Sequence, residues 1–182
     1  YEIPYSKRFQ CLDILYGSDL VNVIETRIVH SYDEALAHYN DLIALGFEGT
    51  IIKNPNGIWE DKTSKDQVKL KVEAEIDLVM VDLNAGKGKN EKTFGSIACE
   101  SSCGKFKVNV SGFTDQQRQA IFDNWPLYKC GIMSVVINGI MPPSGNNEFY
   151  SAFLPRYSEI RLDKTTADSL ERIQEIYESI LN

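Results

Sequence analysis

Three short runs in this 182-residue sequence combine charge with chain geometry in ways suited to holding phosphate. In Glu48-Gly49-Thr50-Ile51-Ile52-Lys53, a carboxylate and a glycine lead through an apolar pair to a lysine. The glycine lets another backbone come close at a strand entrance, and Glu48 and Lys53 are candidates to flank one phosphate pocket. In Val68-Lys69-Leu70-Lys71, the period of two puts both ammonium groups on one strand face and Val68 and Leu70 on the other. Two like charges side by side repel each other and invite an anion between them. In Phe153-Leu154-Pro155-Arg156-Tyr157-Ser158-Glu159-Ile160-Arg161-Leu162-Asp163-Lys164, Asp163 is placed to hold a neighbouring cation while the others meet phosphates. Each run taken singly also fits a blander role: a solvated helix–strand turn, a charged strand face, a linker with scattered surface charge.

The elements around these runs decide how they are presented. Ser31 and Glu34 form a capping box ahead of Ala35, Leu36, Tyr39, Leu42, Ile43 and Leu45, and Gly46 ends the helix. Thr50 to Ile52 reads as a buried strand closed by Asn54-Pro55-Asn56-Gly57, and Val68 to Lys71 as a second. Leu20 to Ile28, with Val21, Val23 and Ile28, reads as a strand feeding the same sheet. Farther on, Ile76 to Leu83, Phe94 to Cys99 and Phe106 to Val110 are strands, the last two joined as a hairpin through residues 100–104. Thr114 and Gln117 cap a helix, and Ile132 to Ile137 and Phe149 to Phe153 complete the strands. Strand, hairpin, helix, strand, strand is the order of a small five-stranded OB-fold barrel, with the Pro155–Lys164 run just after it. Thr165 or Thr166 then caps a final helix whose stripe is Leu170, Ile173, Ile176, Tyr177, Ile180 and Leu181.

Whole-chain properties narrow the class. With 43% hydrophobic and 25% charged residues the composition is that of a globular protein. No run approaches the roughly 18 apolar residues of a membrane span, so the sequence points to a soluble, intracellular protein with no membrane partner. The net charge of −7 argues against nucleic acid only on average. Lys62, Lys65, Lys69 and Lys71 cluster, and Lys87, Lys89 and Lys92 share one Gly-rich loop, whereas acidic residues gather in the last helix. If that part of the chain docks on a nucleic-acid duplex, those three loop lysines are the candidates to meet its backbone phosphates. Cys11, Cys99, Cys103 and Cys130 include no second close pair to complete a zinc site and read as reduced thiols.

In order and spacing, the three phosphate-suited runs resemble motifs IV, V and VI of the covalent nucleotidyltransferase superfamily. EGxxxK is complete in Glu48, Gly49 and Lys53, and KxK is Lys69-Leu70-Lys71 after Ser64. Pro155, Arg156, Arg161, Asp163 and Lys164 are similar to the FPRFxxxRxDK run of ATP-dependent DNA ligases, and Tyr5-Ser6-Lys7-Arg8-Phe9 looks like motif IIIa. The resemblance covers nearly the whole chain. Two departures stand out: no lysine here is followed by x-Asp-Gly, and Gln67 stands where many ligases have Trp.

The resemblance implies an α+β chain. Residues 1–73 would be the distal part of an adenylation domain, residues 74–165 an OB-fold β-barrel, and residues 166–182 a C-terminal helix. It implies an ATP-dependent DNA ligase that seals nicked double-stranded DNA through enzyme–AMP and DNA–adenylate intermediates, with the KxDG lysine supplied by a missing N-terminal part. Glu48 would hold Mg²⁺, Lys69 and Lys71 would neutralise the α-phosphate of ATP, and Arg161 and Lys164 would orient the leaving pyrophosphate. Lys53 and Arg8 would make nucleotide and domain contacts. The alternatives are a messenger-RNA capping guanylyltransferase, a non-catalytic OB-fold module that binds single strands, and a structural subunit completing a split ligase. An NAD-dependent ligase is disfavoured, because the zinc-finger cysteines which that family carries after its OB-fold have no counterpart.

Overall fold

A computed structural model describes residues 2–12, 23–145 and 147–181. The chain divides into two units, Tyr1–Lys71 and Val72–Asn182.

In the first unit, α1 (Tyr5–Gln10) opens on backbone amides that donate to the turn at residues 54–57: Tyr5 to the Gly57 carbonyl and Ser6 to the Pro55 carbonyl, both at 2.9 Å. Helix α2 (Tyr32–Ala44) is capped by the Ser31 hydroxyl, which accepts from the Glu34 amide at 3.1 Å. The Glu34 carboxylate reaches back one residue beyond the cap, to the His30 amide. At the other end Gly46 takes φ +84°, with its amide on the Ile43 carbonyl and the Phe47 amide on the Leu42 carbonyl. Those two bonds make a Schellman stop, satisfying carbonyls the helix would otherwise leave open. Helix α2 packs on β1 (Gly49–Lys53), which pairs antiparallel with β2 (Gln67–Lys71). Of the strand expected over 20–28, Leu20, Val21 and Asn22 lie outside the described residues. Val23 to Ile28 is not a strand, and Ile24 and Ile28 are exposed. Both side chains would need a second sheet surface to cover them.

The second unit is built on a five-stranded antiparallel sheet of order β5-β4-β3-β6-β9. Its strands are β3 (Ala74–Ala85), β4 (Phe94–Glu100), β5 (Lys107–Val110), β6 (Ile132–Ile137) and β9 (Arg156–Arg161). Helices α3 (Asp115–Asp123) and α4 (Trp125–Tyr128) lie between β5 and β6, and Thr114 with Gln117 forms a complete capping box. Strands β7 (Gly139–Met141) and β8 (Ser151–Phe153) form a separate two-stranded ribbon. The OB-like sheet curls until its edges meet at one parallel bridge, Ser111 to Arg156, where the Tyr157 amide donates to the Ser111 carbonyl at 2.8 Å, and no continuous ladder closes the barrel among the described residues.

This corrects the barrel expectation in one element. The fifth strand is Arg156–Arg161, within the run read as lying after the barrel, while part of Phe149–Phe153 joins the ribbon instead. Alternation along β3 and β6 fills the core with Ile76, Leu78, Met80, Met133, Val135 and Ile137, and a register shift at the start of β4 lets Phe94 join Ile97 there. Helix α5 (Leu170–Leu181) adds Leu170 and the fully buried Ile173 to that core, so the tail helix is part of this unit's fold. Its cap is neither Thr165 nor Thr166: the Ser169 hydroxyl accepts from the Arg172 amide, because Ala167 is buried and Asp168 is held by β3.

Candidate functional site

The register of the β1–β2 hairpin fixes which charges meet. Ile51 faces Lys69, Lys53 faces Gln67, and Gly49 faces Lys71, so all six side-chain positions share one face. The opposite face carries Thr50, Ile52 and Leu70, half-buried, together with Val68. On the shared face a cleft of about 410 Å³ is lined by Tyr5, Arg8, Ile51, Lys53, Trp59, Lys62, Ser64, Gln67 and Lys69, among others. Lys53 Nζ lies 4.6 Å from the centre of the Tyr5 ring, a cation–π distance.

The acids near this cleft are already engaged. Glu60 pairs with Lys62 at 3.1 Å, and Asp66 accepts from the Asn54 side chain at 2.9 Å. Among the described residues Lys53 and Lys69 have no carboxylate partner. Lys53 against an aromatic ring and Lys69 in the same cleft lining, in a concavity whose two acids are engaged elsewhere, form a site for an anion.

Other expected site residues sit elsewhere in the unit. Glu48 and Lys71 are outside the cleft lining, at the end of the hairpin where Gly49 faces Lys71. Strand rise sets Glu48 roughly 16 Å from Lys53 along the chain, and the cleft lining holds Lys53 but not Glu48. Gly49 has φ +144°, and a Cβ there would collide with the Leu70 carbonyl. Arg8 lines the cleft, but its guanidinium donates to the Ile3 and Gly57 carbonyls at 3.1 and 3.3 Å. It thereby ties the opening segment to the turn after β1.

In the second unit, Arg161 and Lys164 converge on a residue that sequence reasoning missed. Asp77 points to the outer face of β3 yet is only 5% exposed. Its carboxylate accepts from Ser134 Oγ at 2.7 Å, from Arg161 at 3.5 Å and from Lys164 Nζ. Arg161 is also clasped through two bonds by Asp163, at 2.9 and 2.7 Å, and that guanidinium holds the Asp163 carboxyl down to about 2. Arg156 pairs with Glu73 at 2.6 Å. A lone Asp in an alternating strand normally signals solvent, so nothing in the sequence marked Asp77 as buried. Trp59 was missed for a similar reason: an isolated aromatic in a turn-rich stretch carries no periodic signal.

Lys87, Lys89 and Lys92 are all exposed in the loop between β3 and β4, where Lys89 pairs with Asp115 at 2.9 Å. Cys99 is buried, which raises its thiol pKa, and the exposed Cys103 is lowered by hydrogen bonds from Ser101 and the Leu170 amide. No helix among the described residues is long and apolar enough to cross a membrane.

Residues 1–71, the unit that holds the cleft, match the family model described as "ATP dependent DNA ligase domain". This unit belongs to the ATP-dependent DNA ligase family. Beyond the ligase unit, the whole chain is similar to DNA ligases. It is 33% identical to the DNA ligase of Enterobacteria phage T4 over 183 aligned residues, covering 95% of this chain and 37% of that protein. The DNA ligase of Haloferax volcanii is 25% identical over 97% of this chain and 34% of its own length. The chain thus spans little more than a third of these ligases.

Among solved structures, one from a structure–function study of Lig E DNA ligases shares the fold. Its TM-score is 0.67 at 17% identity, over 87% of this chain and 59% of that one. A second, described as "Pmar-Lig_Pre.", gives 0.69 at 19% identity, over 90% of this chain and 41% of that one.

Proposed function

We propose that this chain is the distal part of an ATP-dependent DNA ligase, supplying phosphate-neutralising and leaving-group contacts for nick sealing. The observation that carries the reading is the β1–β2 hairpin. It sets Lys69 beside Lys53 on one cleft face without carboxylate partners, inside the residues that match the ligase domain.

In the first step an amine nitrogen bonds to the α-phosphorus of ATP, and the bond from that phosphorus to the bridging oxygen of pyrophosphate breaks. The amine belongs to a lysine outside these 182 residues, since the chain contains no Lys-x-Asp-Gly. Lys69 and Lys71 neutralise charge on the α-phosphate, Lys53 holds the nucleotide, and Arg161 and Lys164 orient the pyrophosphate. Arg8 fixes the opening segment that carries Tyr5. AMP then passes to the DNA 5′-phosphate, and the 3′-hydroxyl displaces it as the new phosphodiester forms. In such transfers catalysis is mostly positioning and charge neutralisation.

Glu48 suits a Mg²⁺ site of the sparse kind. It is exposed, and the described residues contain no cluster of three acidic, His or Cys side chains that would cage a metal. Mg²⁺ is commonly held by one or two carboxylates plus substrate phosphates, and it spreads the negative charge of those phosphates.

The direct test is labelling with ATP and Mg²⁺ followed by denaturing electrophoresis. The full-length protein is expected to carry a stable AMP adduct and to seal nicked duplex; the 182-residue chain alone is expected to take up no label. Label on the chain alone would place the nucleophile within it and defeat the reading. Use of GTP in preference to ATP would indicate a capping enzyme.

DNA contact gives a second prediction. Lys87, Lys89 and Lys92 would meet backbone phosphates, which orient a protein without reading bases. Each neutralised phosphate contributes about 0.9 to the slope of log affinity against log salt, so replacing all three by alanine should flatten it by up to roughly 3. The Asp115 pair at Lys89 is a weak competitor, because both partners are well exposed. A salt titration of nicked-duplex affinity in the full-length protein checks this; an unchanged slope would move the DNA surface elsewhere.

A further inference from the structure

We propose that Asp77 is a positioning residue. This buried carboxylate sets the Arg161 guanidinium and the Lys164 ammonium where they receive the pyrophosphate. The inference rests on the ligase reading above.

The geometry is more built than a surface ion pair requires. Asp77 and Ser134 are direct cross-strand partners on β3 and β6, and the Ser134 hydroxyl fixes one carboxylate oxygen at 2.7 Å. The other oxygen faces Arg161 and Lys164. The backbone is pinned as well: the Asp77 amide donates to the Asp168 carboxylate and the Asp168 amide to the Asp77 carbonyl, each at 2.8 Å. Ser134 is itself 2% exposed, so a carboxylate turned out to water would leave the buried Ser134 hydroxyl without this acceptor.

A carboxylate buried this deeply is tolerated only with cations and donors around it. The converse is the useful part. Two long side chains from one strand and the turn after it are held to a single point, so less of their freedom remains to be lost when phosphate arrives. Asp163 differs in kind. Its side chain is 66% exposed, and water competes for its clasp on Arg161, so it is the partner that a phosphate can replace. Asp77 remains as the fixed anchor while that exchange takes place.

The test is made in the full-length protein. Its readouts are ATP-dependent self-adenylation, resolved into kcat and KM for ATP, and closure of a nick carrying preformed adenylate. Asp77→Asn keeps the shape but removes the charge. It is expected to slow adenylation by on the order of 10–10²-fold, as misplacement of a catalytic group does, while closure of the adenylated nick stays at the wild-type rate. Because Asp77 acts through both partners, Asp77→Asn added to the double variant Arg161→Ala/Lys164→Ala should cost little beyond that double variant. Ser134→Ala, which removes only the orienting hydroxyl, should shift adenylation in the same direction by a smaller factor.

Equal loss of both reactions in Asp77→Asn and Ser134→Ala would reduce Asp77 to a folding role and overturn the proposal. So would a further loss of full size when Asp77→Asn is added to Arg161→Ala/Lys164→Ala. If Asp77→Asn does not fold, a silent Ser134→Ala overturns the proposal by itself. If Arg161→Ala and Lys164→Ala slow adenylation while Asp77→Asn is silent, the proposal fails and the ligase reading stands. If Arg161→Ala and Lys164→Ala are themselves silent, it is the ligase role of that run that fails.

Discussion

Alanine at Lys69, or at Lys71, is expected to slow self-adenylation of the full-length protein by on the order of 10²-fold or more, as loss of a preorganised phosphate contact does. The two lysines alternate on one face of β2, where the register pairs them with Ile51 and Gly49. A charge kept in place before substrate arrives acts on the transition state without reorganising, and its worth rises as the cleft excludes water. Glu48→Ala should give a loss of similar size that extra Mg²⁺ restores only in part. Lys65→Ala is the control, since Lys65 lies in the turn before β2 and outside the strand that carries Lys69 and Lys71. Rates of adduct formation under single-turnover conditions decide the matter. Silent Lys69 and Lys71 variants beside an inactive Lys65→Ala would move the phosphate contact from the shared face of the hairpin to the turn before β2.

Gly49→Ala should damage the same site through the backbone. At φ +144° an L side chain is strained, and its Cβ would meet the Leu70 carbonyl while lying 3.0 Å from Lys71 Cα. The strands would have to part where Gly49 pairs with Lys71, so the phosphate-facing lysine moves as well. Backbone strain and overpacking together put the cost at roughly 3 kcal/mol for the first unit. Gly46→Ala offers a contrast. Its φ of +84° is also unfavourable, but an added Cβ meets nothing within 4 Å, so strain alone remains and the cost should be about 1 kcal/mol. Urea titrations comparing midpoints at unchanged slope measure both. Equal midpoints for the two variants would show that the close approach to β2 contributes nothing.

Signals written in local chemistry were legible from the sequence. Ser31 and Gly46 bound α2, Thr114 and Gln117 start α3, and Ile132 to Ile137 is a strand with the bounds its β-branched residues suggest. Strand β9 escaped because a bulge breaks its period. Tyr157 pairs with Val135 and Ile160 with Met133, so both pack on the core although they are three apart, with Ser158 the unmatched residue. A reading that looks for alternation finds only charge there. The anchor at Asp77 was hidden for a different reason: what buries it is Lys164 and Asp168, roughly 90 residues away, and no local pattern reports a contact of that range. For the candidate site, residue types were legible and their grouping was not. Lys53 and Lys69 share a cleft because of a cross-strand register that the separate motifs do not encode.

The mutual bonds between Asp77 and Asp168 have a consequence for the solubility of shortened forms. At Asp77 strand β3 is paired with β6 on one side, but β4 joins it only from Val79 onward. Asp168 stands in for the absent neighbour at that point, donating to and accepting from the strand as another strand would. A chain cut before Asp168 would expose an open strand edge beside an apolar layer that had also lost Leu170 and Ile173. Such edges recruit strands from other molecules. The final 15 residues therefore protect the sheet against self-association, even though they carry none of the residues assigned to phosphate.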